Sequence, residues 1–181
     1  VIAFVFNMLI LGLAGSVGVA AYGIVANLSI VGMCIFNGLA QGAQPLISES
    51  FGRGESEHVR KYLRWGMNST IWLFTDPLVV IFNSENNAML LQYAHTGLQL
   101  YFLGFLFAGV NIMLVAYFSA TANARPAIIG SLMRGAIAIV LCAIVLSRIL
   151  GMNGVWLSFL ASEMLTFVVI LILSRKKESV S

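Results

Sequence analysis

Four polar side chains share one helix face within a long run that is otherwise apolar. They recur at i, i+4, i+7 and i+11, and they are Asn37, Gln41, Gln44 and Ser48. Buried amides are costly in hydrocarbon, so this face must contact protein or a water-filled cavity. It could line a substrate pathway, or it could form interhelical hydrogen bonds that hold a bundle together. Tyr22 and Asn27, farther toward the outer end of the same helix, have the same two interpretations.

A carboxylate lies deep in the last apolar segment. Glu163 is twelve residues into that segment, and the next basic residue on its own helix is Arg175. An ionisable group at this depth costs about 2.5 kcal/mol or more on insertion scales, so it needs a partner, a proton or an ion. One hypothesis makes Glu163 a coupling or substrate-facing carboxylate. Two alternatives stay open: a static ion pair with Arg134, the only basic residue well inside another span, or an interfacial position.

Further polar candidates lie in a segment rich in phenylalanine. Asn111 and Tyr117 are the candidates for a cavity there. Aromatic rings such as Phe105 and Phe118 could hold flat cations by cation–π attraction, but we expect most of them to face lipid.

These candidates must be positioned by membrane-spanning helices. Apolar residues make up 60% of the 181 residues, charged residues only 9%, and mean hydropathy is +0.95. A spanning helix needs roughly 20 mostly apolar residues. Five segments meet or approach this length: residues 1–17, 19–48, 90–120, 126–147 and 152–174. The composition predicts an all-α polytopic membrane protein.

The distribution of charge predicts the orientation. Val1 to Ser48 contains no Asp, Glu, Lys or Arg, and basic residues follow alternate segments. With six crossings, eight of the ten basic residues share one side: Arg53, Arg60, Lys61, Arg64, Arg125, Arg175, Lys176 and Lys177. The positive-inside rule makes that side, including the C-terminal end, cytoplasmic.

Six crossings require a third span, over residues 62–82, that is unusually short. Its uncharged part runs only from Trp65 to Thr75, before Asp76, and would cover about 16 Å as a helix. We expect that about ten apolar residues belong near Ile71 and Trp72 but are absent from this sequence. A re-entrant half-helix is the alternative.

Several function classes lack support in the sequence. There is no ordered Ser, His and Asp set, no phosphate-cradling glycine loop and no metal-ligand spacing, so we expect neither an enzyme nor a bound cofactor. The basic loop fits membrane topology better than nucleic acid. Cys34 and Cys142 lie in apolar runs, and we expect both to be buried packing residues.

Several motifs together resemble one transporter family. They are Ala20-Ala-Tyr-Gly-Ile24, Gly38-Leu-Ala-Gln-Gly-Ala-Gln-Pro-Leu-Ile-Ser48, Gly52-Arg-Gly-Glu55, His58-Val-Arg-Lys-Tyr-Leu-Arg64, and Gly151-Met-Asn-Gly-Val-Trp-Leu157 followed by Glu163. This pattern is similar to that of the multidrug and toxic compound extrusion (MATE) transporters. The resemblance implies twelve helices in two six-helix lobes, with this chain, residues 1–181, as the second lobe.

The resemblance also implies a function. Members of that family exchange Na⁺ or H⁺ for organic cations and other drugs by alternating access in the cell membrane, so the expected partners are drugs, lipid and the N-terminal lobe. The coupling ion would be the only cofactor. A lipid-linked saccharide flippase is an alternative, although a single Arg134 suits a pyrophosphate poorly. Another is a half-size subunit that assembles with a partner through Gly38 and Gly42.

Overall fold

Helices account for almost all of the chain that can be described. A computed structural model describes the backbone of residues 2–81 and 88–178, and the side chains of residues 2–69, 97, 100, 101 and 103–174. Within these ranges four helical stretches are long and apolar enough to cross a membrane: Ile2–Gly52, Leu103–Ala120, Ala124–Leu150 and Met152–Ser174. The predicted class, an all-α polytopic membrane protein, is confirmed.

The first helical stretch, α1 (Ile2–Gly52), folds back on itself at Gly15. Gly15 has φ 62° and ψ −158°, a conformation that glycine adopts without the Cβ clash of other residues. The rings of Phe6 and Tyr22 stack with centroids 5.2 Å apart. A straight helix would separate these residues by about 24 Å. Residues 2–14 and 16–52 are therefore two arms, and the break lies a little before the predicted boundary between residues 17 and 19.

The second and third helices are α2 (Ser56–Ile81) and α3 (Ala88–Ala120). Gly54, with φ 74°, makes the turn from α1 into α2. Gly66, in the first half of α2, packs against Met113, in the last third of α3. The start of α2 and the end of α3 therefore lie at the same end of the lobe. The backbone of α2 is helical through Ile71 and Trp72, whose side chains lie outside the described set, as does Asp76.

The next span is one helical stretch with a wider turn in its middle. It consists of α4 (Ala124–Leu132), a π-helical turn (Met133–Ile137) and α5 (Ala138–Leu150). The last helix is α6 (Met152–Glu178). Gly151, with φ 58°, reverses the chain between them, and a Cβ on Gly154 would collide with the backbone carbonyl of Leu146. Glycine at position 154 is thus what allows α5 and α6 to meet so closely.

The two ends of the lobe differ in charge. The turns at residues 53–55 and 121–123 lie at one end, together with Arg53, Arg60, Lys61, Arg64 and Arg125. The breaks at Gly15 and Gly151 lie at the other end, where the rings of Tyr22 and Trp156 approach to 6.3 Å. The C-terminal basic cluster lies outside the described side chains.

Aromatic residues form much of the core. The rings of Tyr101 and Phe159 stack at 4.3 Å, and Phe105 packs on Phe159 at 5.4 Å. Phe105 and Phe118 are buried and are therefore not among the rings that face lipid; α1 and α6 cover Phe105, and α4 and α6 cover Phe118. The expectation for Cys34 was also wrong. Its side chain is exposed, because Cys34 lies on a face of α1 that no described element covers.

Candidate functional site

An ion pair joins α6 to the π-helical turn in the middle of the lobe. The Arg134 Nε donates to both carboxylate oxygens of Glu163, at 3.2 Å to Oε1 and 3.1 Å to Oε2. The side chain of Glu163 is 4% exposed and that of Arg134 is 17% exposed. The structure shows that Glu163 pairs with Arg134 and is buried, which excludes an interfacial position; a coupling role for Glu163 stays a prediction. Pairing explains how the carboxylate is tolerated at this depth.

Asn111 is the third member of this cluster and comes from α3. Its Nδ2 donates to Glu163 Oε2 at 2.7 Å and to the Glu163 backbone oxygen at 2.8 Å. Asn111 is 0% exposed, and its Oδ1 accepts no hydrogen bond from any described residue. An unpaired buried acceptor costs about 1–3 kcal/mol. The Asn111 amide therefore binds the Glu163 carboxylate through Nδ2, while its own unpaired Oδ1 lowers the stability of the fold.

The π-helical turn positions Arg134. A π-helical turn accommodates extra backbone within a helix and occurs often at functional sites. All five of its residues are solvent-accessible or only partly covered, and Arg134 Nη2 lies 3.9 Å from Met33 Sδ on α1. Arg134 thus lies between the buried carboxylate on one side and the polar face of α1 on the other.

A cavity of about 340 Å³ lies between α1, α3 and the span that contains the π-helical turn. Its lining residues are Asn37, Ala40, Gln41, Gln44, Ile112, Val115, Ala116, Ser119, Ser131, Arg134 and Gly135. Three residues of the predicted polar stripe therefore meet Arg134 in one space. The amide of Asn37 also donates from Nδ2 to the Met33 carbonyl at 2.7 Å, within its own helix.

The remaining predicted residues do not line this cavity. Tyr22 is buried in the aromatic core between Phe6 and Trp156. Asn27 is exposed, and Tyr117 packs edge-on against Phe118. Asn111 and Glu163 are also absent from the lining, because both lie behind Arg134 in the packed interior.

Some lining residues were not among the predicted site residues. Ser131 lies three residues before Arg134 and shares its helix face. This i, i+3 spacing could have predicted that Ser131 lies beside Arg134 in the site. Ser119 had no such signal, since only the packing of α3 against α1 brings it to the cavity.

The cavity offers hydrogen bonds and one guanidinium. Its lining contains amides and hydroxyls that can donate and accept, but neither an acidic side chain nor an aromatic ring. Within the described ranges, no group of three or more His, Cys, Asp or Glu could hold a metal ion. The arrangement suits reversible binding of a small polar molecule next to a buried ion pair.

Comparisons with known proteins agree with this architecture. The family model MatE matches residues 1–144. The chain is 23% identical to the multidrug export protein MepA of Staphylococcus saprophyticus subsp. saprophyticus over 167 residues, which covers 88% of this chain and 36% of that protein.

Solved structures share the fold. A multidrug resistance MATE family transporter of the MOP superfamily, in an outward-facing conformation, superposes with a TM-score of 0.83 and 16% identity, covering 99% of this chain and 42% of that chain. A MOP superfamily transporter from Pyrococcus furiosus, described as having a binding pocket of reverse polarity, gives a TM-score of 0.82 and 15% identity over 98% of this chain and 42% of that one.

The chain thus spans well under half the length of the proteins it matches. Its described residues form a bundle of apolar, membrane-spanning helices with the fold of one lobe of those transporters. Because the family model covers most of the sequence, this integral membrane chain belongs to the MatE family, whose members are transporters.

Proposed function

We propose that this chain is one lobe of a secondary active multidrug exporter, which moves organic cations and other drugs against Na⁺ or H⁺ by alternating access. The observation that carries the proposal is the cavity beside Arg134. Its amides come from α1, and its guanidinium comes from a π-helical turn in the middle of a membrane span. Polar groups at this depth in a membrane are expensive, and they commonly mark a transport pathway.

The proposed partner is an N-terminal lobe that completes the substrate path. Two observations support it: the matched structures are more than twice as long as this chain, and the polar face of α1 opens into a cavity that the described helices close only in part. The polar stripe would then face the path between the lobes, with lipid around the outside.

The proposed membrane is the cell membrane, with the C-terminal end in the cytoplasm. The basic residues at one end of the lobe support this orientation through the positive-inside rule.

The proposed coupling residue is Glu163. Its carboxylate is almost completely buried in the middle of α6, whereas Glu49 and Glu57 are exposed at the charged end of the lobe. It can take up H⁺, or it can attract Na⁺ if Arg134 moves away. Release of the drug would follow when the coupling ion binds.

The test is efflux by the full-length protein in proteoliposomes, with tetraphenylphosphonium as the cationic probe and an imposed Na⁺ or H⁺ gradient. We expect wild type to extrude the probe under one of the two gradients. Glu163→Gln should reduce that rate by about tenfold or more, because it removes the charge that responds to the ion.

The matched control is Glu57→Gln, an exposed acid at the charged end of the lobe. It should transport like wild type. Efflux by Glu163→Gln at the wild-type rate would remove Glu163 from coupling. Wild-type vesicles that extrude no probe under either gradient would contradict the proposed function itself.

A further inference from the structure

The route by which Glu163 could influence a bound substrate is indirect. Glu163 is almost completely buried and does not line the cavity, whereas Arg134 does. A molecule in the cavity therefore meets the guanidinium and not the carboxylate. A proton on Glu163 would change the net charge of the pair, and Arg134 is the member of the pair that such a molecule contacts.

The charge that the cavity presents depends on Glu163. With Glu163 ionised, the pair is neutral and Arg134 Nε is occupied by the carboxylate. With Glu163 protonated, one positive charge at Arg134 has no counter-charge. An arginine side chain remains protonated under all relevant conditions. Arg134 therefore cannot remove the unbalanced positive charge by losing a proton.

Among the side chains that the structure describes, no second acidic group lies beside Arg134. On α3, the Tyr101 phenol and the Asn111 amide are both uncharged near neutral pH. Arg125 and Arg148 lie near the ends of the span that carries Arg134, about 13 Å and 21 Å away along the helix. On α1, the group at the guanidinium is the neutral Met33 thioether.

The guanidinium also has donors directed away from the carboxylate. Arginine carries five N–H donors. In the described part of the chain, Nε serves Glu163 and Nη2 approaches only a sulfur atom, which is a weak acceptor. Loss of the carboxylate's charge would therefore leave a cation with free hydrogen-bonding capacity at the cavity wall.

We infer that Arg134 is a charge switch controlled by Glu163: protonation of Glu163 unmasks the guanidinium, which repels a cationic substrate from the cavity and attracts an anionic group. This inference rests on the proposed function, and it explains how a proton and an organic cation can exclude each other without sharing an atom. Arg134 is then a specificity-determining residue, and the carboxylate acts on the substrate through it. Reciprocity requires that a bound cation hinder the uptake of the proton.

The test uses two probes of nearly the same shape and opposite charge, tetraphenylphosphonium and tetraphenylborate. Their affinities are measured by equilibrium dialysis on the purified full-length protein in detergent. Glu163→Gln mimics the protonated carboxylate. One unmasked charge acting over roughly 10 Å at an effective dielectric near 20 should weaken phosphonium binding about tenfold and strengthen borate binding about tenfold.

The decisive variant removes both charges. If Glu163→Gln acts by unmasking Arg134, the double variant E163Q/R134Q should restore phosphonium affinity to within about threefold of wild type, since replacing both partners of a buried pair is often tolerated. The matched control E163Q/R134K keeps the positive charge and should remain weak for phosphonium. Phosphonium affinity should fall with decreasing pH in wild type and stay constant in E163Q/R134Q.

Two results would overturn the switch. One is a double variant E163Q/R134Q that folds by size-exclusion chromatography yet binds phosphonium as weakly as E163Q, because Glu163 would then bind the cation itself. The other is an unchanged borate affinity in E163Q. The borate measurement also separates this inference from the proposed function, since it reports the charge of the cavity even if the protein exports no cation.

Discussion

Asn111 fixes Glu163 at two points, the carboxylate Oε2 at 2.7 Å and the backbone oxygen at 2.8 Å, with one and the same side-chain nitrogen. The amide therefore sets the position of the carboxylate relative to α3 as well as satisfying one of its oxygens. Arg134 binds the same carboxylate from the π-helical turn. The helices α3 and α6 and the π-helical turn thus meet at the Glu163 carboxylate. A change in its charge alters the hydrogen bond from Asn111 and the ion pair with Arg134.

Replacement of Asn111 by leucine should destabilise the protein. Both hydrogen bonds to Glu163 are lost, and the carboxylate keeps only Arg134, so we expect a cost of about 2–4 kcal/mol. The measurement is thermal unfolding of the purified full-length protein in detergent. Asn27→Leu is the control, because Asn27 is exposed and makes no comparable contact. Equal melting temperatures for the two variants would show that the Asn111 bonds do not hold the fold.

Replacement of Gln41 by alanine should raise the KM for efflux of tetraphenylphosphonium by about two- to tenfold, the effect of losing one hydrogen-bonding group from the cavity. Ser48→Ala is a matched control, since Ser48 belongs to the same predicted helix face but does not line the cavity. Initial rates in proteoliposomes provide the comparison. An equal rise in KM for Ser48→Ala would show that the effect of Gln41 on binding does not come from its position in the cavity wall.

Replacement of Gly104 by alanine should cost about 1–3 kcal/mol of stability through overpacking. A Cβ there would lie 2.5 Å from the Phe159 ring and 3.1 Å from the Leu160 backbone nitrogen, where α3 and α6 meet. Gly38→Ala is the control, because nothing lies within 4 Å of its Cβ position. Thermal unfolding should separate the two variants, and a melting temperature for Gly104→Ala at or above that of Gly38→Ala would contradict the packing of α3 on α6.

Single cysteines should react from opposite sides of the membrane. After Cys34 and Cys142 are replaced by serine, Glu57→Cys should be labelled by an impermeant maleimide only from the cytoplasm, and Asn153→Cys only from outside. Residue 57 is the second residue of α2 and residue 153 is the second residue of α6, at opposite ends of the lobe. Labelling of both positions from one side would refute the six-crossing arrangement.

Peptide mapping of the purified protein tests the third span. We predict that apolar residues intervene between Ile71 and Trp72 in the natural polypeptide, and a proteolytic peptide that contains this junction unaltered would disprove it. The described helix α2 is about 39 Å long as it stands, but its first third carries the basic residues of the membrane edge.

The class of the protein followed directly from the sequence. Apolar runs of spanning length and a charged cluster after residue 48 suffice to predict a polytopic helical protein, because the bilayer accepts few other structures. The stripe of Asn37, Gln41 and Gln44 could be predicted for the same reason, since helix periodicity alone places them on one face. Their meeting with Arg134 in a cavity could not, because it depends on how α1 packs against the π-helical turn.

The sequence by itself determined that this protein lies in a membrane and is helical, and that Glu163 needs a partner, because polar groups are costly in hydrocarbon. Only the tertiary structure decided which partners that carboxylate has. Asn111, Arg134 and Glu163 are far apart in sequence. Their spacing does not predict that α3, α6 and the π-helical turn come together at one point. Only the tertiary structure also decided that Glu163 is buried while Arg134 lines the cavity, because burial depends on how the helices pack.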